Sequence, residues 1–455
     1  MKKQNIKKSF PKNLSQLNLN AAGIDIGSSE HYVAVPEDRD DSPVRSFKSF
    51  TPDLYELASW LKCCKIDTVV MESTSVYWIP LFQILESEGF EVLLVNAKSV
   101  KNVPGRKSDV NDCQWLQQLH TYGLLSGSFQ PENEIRELRT YLRQKNTLIR
   151  YSSSHVQHIQ KALTLMNIKL HNVISDVTGK SGMAIIRAIV KGERDPEELV
   201  KYCDERLKNP KEVIKKSLIG NYTEDNIFLI KQAIDLYDYY EKKILECDTQ
   251  IQILLKNFGG KEPDGKKIEG DNILSNEPKQ RKKKIESPEI QNEIIRLTGV
   301  DLTQIAGLNT SSALSLLSET GFDMNKWKSE KHFTNWLGLA PNNKISGGKV
   351  LSCSTKKVKS RANNIFRLAA YSLAHSNSYL GGVYKKLRFR LGPSKANVAV
   401  ARKIAVIYYN MLKYGEEYFD YGCEYYEQKH KEKNIKHLQQ KAKEFGFELI
   451  VAQPS

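Results

Sequence analysis

Asp25 sits inside an apolar run, AAGIDIGSSEHYVAV (residues 21–35), flanked by Ile24 and Ile26. A carboxylate there has its pKa driven up unless a cation or several donors hold it, so the position implies a partner or a metal. Glu72 ends a second apolar run, residues 69–71, where a side chain reaches past a sheet edge into a crevice. Asp109 and Asp112 stand three apart where GRKSDVNDCQWLQQL opens a helical pattern, on one face with Leu116 and Leu119. Acids in a first helical turn also complement the helix dipole, so capping is the competing reading of that pair. Four carboxylates from two strand ends and a helix start supply the oxygen ligands that two Mg²⁺ ions take, and such a pair about 4 Å apart clamps both oxygens of a phosphodiester displacement. Ser346 precedes Gly347 and Gly348. On spacing alone that is a flexible turn, with a nucleophile as the alternative.

The segments around the acids read as a sheet with helical cover. After the strand carrying Asp25, residues 31–35 and 44–50 alternate or run apolar between turn signals such as PEDRDDSP, giving an antiparallel meander of three strands. TPDLYELASWLKCC has a helical period at Leu54, Leu57, Trp60 and Leu61, with Thr51 as the cap. A strand DTVVME, a helix over 76–88 and a strand FEVLLV follow. That order is the ribonuclease-H-like layout, an α/β domain whose mixed sheet is covered by helices. Gly23 and Gly27 let another backbone or a phosphate approach Asp25 closely.

Composition narrows the function class. The 455 residues allow two or three domains. Seven cysteines without a CxxC pair argue against a disulfide framework or a zinc knuckle and for a reducing cytoplasm. No apolar run reaches membrane-spanning length, and residues 1–20 read as a disordered basic tail rather than a signal peptide. The net charge of +15 is concentrated: between Glu330 and Glu416 there is no Asp or Glu, while Lys and Arg number sixteen, so the remainder sums to about −1. A region of single sign repels itself unless a polyanion neutralises it, which points to nucleic acid over a solubilising face. Its candidate contacts are Lys349, Lys356, Lys357, Lys359, Arg361, Arg402 and Lys403.

From 131 to about 172 the pattern becomes one long helix in which Arg136, Arg139, Arg143 and Arg150 alternate with Leu138, Leu142 and Ile149. A packing seam is the ordinary use of such a face; Arg139, Arg143 and Arg150 are carried as nucleic-acid contacts on its basic side. Helical patterns resume over 198–207 and over 223–258, the latter as the return helix of an antiparallel pair with a dimerisation or scaffold role. Residues 259–289 lack apolar periodicity and read as a disordered linker or surface insertion. Beyond them, IIRLTGVDLTQIAGLNTSSALSLLSETG has the form of a helix, a tight turn at 306–309 and a helix capped by Thr310. Helix-hairpin-helix elements have this form and hold a DNA phosphate on turn amides.

GIDIG with Asp25, MEST with Glu72, KSDVND with Asp109 and Asp112, then LTQIAGLNTSSA, WLGLAPNNKISGGK and SKANVAVARKIA, resemble in that order the insertion-sequence transposases with a DEDD ribonuclease-H-like domain. The likeness runs from about residue 21 to 417. It fits a basic tail (1–20), a RuvC-like catalytic domain (21–128), a helical coiled-coil arm (129–258), a flexible linker (259–290), a largely helical C-terminal transposase domain with its helix-hairpin-helix-like element (291–417) and a helical tail (418–455). The resemblance implies that Asp25, Glu72, Asp109 and Asp112 bind Mg²⁺, as two ions with Mn²⁺ as a substitute. It implies that Ser346 attacks a DNA phosphate to give a covalent phosphoserine. It also implies recombination of double-stranded DNA, at element ends and target, guided by a structured RNA from the element.

Members of that family assemble as homodimers and tetramers whose sites combine the acidic domain of one subunit with the serine domain of another. The expected setting is the bacterial or archaeal cytoplasm, at the nucleoid, with no membrane partner. Two departures stand out. Asn309 replaces the second glycine of the hairpin, and Cys353 and SRANN replace a glycine-rich stretch and a basic-Gly-Asn turn, which makes Ser352 and Ser354 fallback nucleophiles. An actin-like or sugar-kinase-like ATPase also opens with GIDIGSS, but its second Asp-Gly phosphate turn and glycine-rich adenosine site are missing here. A metal-dependent junction resolvase without a covalent step, and a non-catalytic nucleic-acid scaffold, are the other rivals.

Overall fold

The computed structural model describes residues 15–96, 109–259, 288–358 and 360–448. Residues 260–287 of the linker, most of the basic tail and Lys359 lie outside the described residues, and residues 288–290, expected as linker, already open a helix. The chain divides into two units, Met1–Gln130 and Pro131–Ser455.

The first unit is built on five strands: β1 (Ala21–Ile26), β2 (Glu30–Ala34), β3 (Val44–Lys48), β4 (Thr68–Glu72) and β5 (Glu91–Val95). Their order is β3-β2-β1-β4-β5. The first three form the antiparallel meander, and β4 and β5 add in parallel beyond β1. Helix α1 (Thr51–Cys63) takes Phe50, not Thr51, as its N-cap, because Pro52 in the first turn already fixes a helical φ. Helix α2 (Trp78–Ser87) follows β4.

Strand alternation sorts side chains between two faces. Ala22, Ile24, Ile26, Val69 and Met71 pack against Leu54, Leu57, Leu61, Leu81 and Leu85 of α1 and α2. On the other face Val70 and Val95 pack with Leu116 and Leu119 of α3 (Asp109–Thr121). Each such leucine contributes about 1.5–3 kcal/mol by leaving water. The same pattern locks the register, since a slip of one residue would turn Asp25 into the apolar layer under α1.

The second unit opens with an antiparallel pair of long helices, α4 (Asn133–Leu165) and α6 (Glu224–Asn257). Lys145 pairs with Asp248, Ser152 Oγ donates to Glu241 at 3.1 Å, and His155 stacks on Tyr240, so rising numbers on α4 meet falling numbers on α6. Between them α5 (Lys180–Val190) and three short helices build a separate core from Leu163, Ile185, Ile189, Leu199, Ile214 and Ile230. The helix expected over 198–207 is only Pro196–Val200, where Asp195 caps the first turn and a run of turns follows.

Helices α7 (Pro288–Thr298), α8 (Thr310–Thr320), α9 (Glu330–Trp336), α10 (Arg361–Ser372), α11 (Tyr379–Leu391), α12 (Pro393–Tyr414) and α13 (Gly422–Glu444) complete the chain. Their core is aromatic: Phe333 packs on Phe366, Tyr408 and Tyr409, and Tyr408 shares a 2.9 Å hydrogen bond with Thr320. Between α7 and α8 the turn passes Gly307, at φ +93°, whose missing side chain admits the Ala369 carbonyl. The cap of α8 is Asn309, which accepts from Ser312 N at 2.9 Å while Ser312 Oγ accepts from Asn309 N. Thr310 is instead the first helical residue. Asn309 is extended at φ −127°, so no left-handed residue is needed there.

Candidate functional site

β1 and β4 run parallel with Ala21 opposite Thr68 and Ile24 opposite Met71. One step further along that register, Asp25 lies beside Glu72 at the C-terminal end of both strands. Paired residues in a parallel ladder share a face, and Gly23 and Val70 face α3, so Asp25 and Glu72 face α3 as well. Glu72 is 9% exposed and Asp25 is half-buried.

Gly23 sets how close α3 comes. A Cβ there would stand 2.3 Å from Gln117 N and 2.4 Å from the Cys113 carbonyl oxygen, so the helix backbone rests directly on the strand. Asp112 precedes Cys113 on that helix and shares its buried side with Leu116, one turn on. The shared neighbourhood shows in the Cys113 thiol, which is pushed up to about 12 by burial first, with the charges of Asp25 and Asp112 adding to it. Asp109 is the first residue of α3; its side chain lies outside the described residues. Gly27 closes a turn instead, its N–H donating to Glu30 O at 3.1 Å. Both glycines therefore accommodate backbone rather than phosphate.

Carboxylate oxygens as the donors at this strand end suit a hard divalent cation over a soft one. Among the described residues, no group of three or more His, Cys, Asp and Glu is closed around one point as a metal site. Asp25 and Asp112 both lie near Cys113, and the Asp109 side chain lies outside the described residues.

Ser346 ends β6 (Lys344–Ser346), which pairs with β7 (Lys349–Ser352). Gly347 and Gly348 both have positive φ, +54° and +75°, the requirement of a tight two-residue hairpin turn whose twist matches the strands. The turn is thus stereochemically defined, and it sets Ser346 directly across from Lys349. Residues 341–350 are all exposed. Ser352 and Ser354 share a 3.1 Å hydrogen bond at the base of the hairpin.

The basic residues divide into two groups. Arg139 donates to the Ser318 and Glu319 carbonyls, and Arg143 forks onto the Glu319 carboxylate at 3.0 and 3.2 Å. The Arg139 side chain is 16% exposed, so it caps the last turn of α8 instead of facing a phosphate, where a cation also complements the helix dipole. Arg150, Lys349, Lys356, Lys357, Arg361 and Lys403 are exposed. Arg402 and Lys403 line a cleft with Lys331, Arg367, Arg390 and Lys395, four more of the sixteen basic residues of the acid-free region. The signal is in SKANVAVARKIAVI, where Lys395, Val398 with Ala399, Arg402 with Lys403, and Val406 with Ile407 follow one another three to four residues apart.

A mixed sheet with two acids at the ends of its central parallel strands, followed by a basic helical region, is the arrangement this chain presents. Two family models match this chain: a DEDD-type domain of IS110 elements, described as "Transposase", over residues 22–168, and the "Transposase IS116/IS110/IS902 family" over residues 301–385. A protein named "Putative transposase y4pF/y4sB", from Sinorhizobium fredii (strain NBRC 101917 / NGR234), is 30% identical over 127 residues, 26% of this chain and 32% of that relative. The match thus spans about a third of the relative's length. The chain belongs to the IS110 family of transposases. Among the described residues, no helix is long and apolar enough to cross a membrane.

Proposed function

We propose that this protein is the recombination enzyme of an insertion sequence, cutting and rejoining DNA phosphodiesters with Ser346 as the nucleophile and the Asp25 cluster as the metal-holding centre. The observation that carries the reading is the parallel register of β1 and β4, which sets Asp25 and Glu72 next to its last pair, Ile24 and Met71, beneath the helix that bears Asp112, in a chain of a transposase family. The β3-β2-β1-β4-β5 order supports a ribonuclease-H-like, RuvC-like first unit.

Asp25, Glu72, Asp109 and Asp112 would hold Mg²⁺, which when bound lowers the pKa of an attacking hydroxyl and steadies the departing oxygen. Ser346 Oγ attacks phosphorus; one P–O bond to deoxyribose breaks as the Oγ–P bond forms, and the departing oxygen takes up a proton. One phosphodiester replaces another, so attack by a second DNA hydroxyl on the phosphoserine rejoins a strand and regenerates Ser346. Lys349, opposite Ser346 in the hairpin, carries the positive charge that draws in the scissile phosphate. Guidance by an element-encoded RNA, and assembly from homodimer to tetramer, complete the reading on family likeness.

The test incubates purified protein with element-flanking RNA, matched DNA and Mg²⁺, and looks for a protein–DNA adduct that survives denaturation. Wild type forms the adduct; Ser346→Ala and Asp25→Ala do not, and omission of RNA or Mg²⁺ abolishes it. Cleavage without an adduct, unchanged in Ser346→Ala, makes this a hydrolytic resolvase. An adduct retained in Ser346→Ala moves the nucleophile to Ser352 or Ser354.

A further inference from the structure

A cleft of about 1120 Å³ opens in the second unit between residues 353–355, α11 and residues 394–407 of α12. Its charges come from Lys331, Arg367, Arg390, Lys395, Arg402 and Lys403, against a single carboxylate, Glu330. Among the described residues none of these six cations makes an ion pair. Much of the remaining wall is apolar, with Leu387 and Leu391 on α11 and Val398, Val406 and Ile407 on α12, while Ser354, Thr355, Tyr379 and Ser394 add polar groups.

Along α12 the two kinds alternate in rows one turn apart: Lys395, then Val398 and Ala399, then Arg402 and Lys403, then Val406 and Ile407. A rise of 1.5 Å per residue puts the basic rows about 10 Å apart with an apolar row between them. A matching ligand carries spaced negative charges with apolar surface in the intervals. A duplex does not, because its bases are stacked inward and it offers this wall only sugars and phosphates. A strand with unstacked bases does, with phosphates on the cationic rows and base faces on the apolar ones. The complementarity extends along the chain, since no Asp or Glu occurs from residue 331 to 415.

We propose that this cleft holds a short unpaired stretch of DNA, a few nucleotides of one strand. The proposal deepens the nucleic-acid-binding reading of the C-terminal region and rests on it. The cleft would then keep a locally opened strand from reannealing while its neighbours stay paired.

The experiment titrates full-length protein into a fluorescein-labelled oligo-dT of about 12 nucleotides, and separately into a duplex of the same length, reading anisotropy at fixed salt. Val398→Asn and Leu391→Asn change the apolar rows without changing charge; Leu391 is 39% exposed, so its variant guards against misfolding of the first. Oligo-dT binding should weaken about tenfold in each folded variant, with duplex binding shifting less than about threefold. Equal losses on both ligands, or no loss on oligo-dT, overturn the proposal. So does tighter binding of an oligo-rU competitor, which would make the occupant RNA, or displacement of oligo-dT by duplex alone. Selective oligo-dT binding with no serine adduct would sink the proposed chemistry and leave the cleft; an adduct with no such selectivity does the reverse.

Discussion

Asp25 and Ser346 stand in opposite surroundings. The first is on a strand packed by α1 and α2 on one side and by α3 on the other; the second is at the tip of a two-stranded hairpin of which residues 341–350 are all exposed. Packing fixes the acids, because strand register and helix contact leave Asp25, Glu72 and Asp112 one arrangement. Turn stereochemistry and a single exposed two-stranded ladder fix the serine, so its local shape is set while its support is slight. Changes near Asp25 should therefore disturb stability and activity together, and changes near Ser346 should disturb activity alone.

The sharpest break of that contrast is chemical. Asp25→Asn should lower DNA cutting by on the order of a hundredfold or more, with little loss of thermal stability, measured by cleavage rate and unfolding midpoint. Next is Gly23→Val, which forces α3 off β1. It should cost about 1–3 kcal/mol by overpacking and lower cutting as well, although no polar atom is touched. The counterpart in the hairpin is Gly348→Val, which puts a branched residue at φ +75°. It should cost about 1–2 kcal/mol of hairpin order yet leave global unfolding in urea unchanged, while adduct formation falls.

Protonation separates the two regions further. His120 Nε2 lies 2.8 Å from Thr68 Oγ1 under the sheet, and burial holds its pKa down at about 4. The unfolded chain takes that proton near pH 6.5, so stability present above about 6.5 is lost as pH falls toward about 4, by at most about 3 kcal/mol. Urea midpoints of the wild type should drop across that window, and those of His120→Gln should drop less. A smaller effect distinguishes the basic residues: Arg139→Ala should lower stability by about 1–3 kcal/mol and leave the salt dependence of DNA binding unchanged. Lys356→Ala should lower the salt slope by about one phosphate and leave stability unchanged.

Much of the first unit was legible because period-2 alternation and turn residues are local signals. The meander and β4 ending in Glu72 follow from them. What stayed hidden was nonlocal. Nothing local in Arg139 or Arg143 distinguishes a phosphate contact from a clamp on Glu319, 180 and 176 residues away. The small core formed by α5 and its short neighbours went unread: α5 carries a helical period over eleven residues, but the neighbours that close the core around it are only four, five and eight residues long. Thr310 was mistaken for the cap of α8 because Asn309 and Thr310 are both good caps, and only the reciprocal bond with Ser312 decides between them.

Gly23 carries no charge, donor or nucleophile, yet the spacing between β1 and the helix that bears Asp112 depends on its lacking a side chain. A copy of this gene drifting under mutation could keep every carboxylate and its serine and still fall silent through one added methyl group. Intact acids are therefore an incomplete sign of a working element; the residue two before Asp25 belongs in the same inspection.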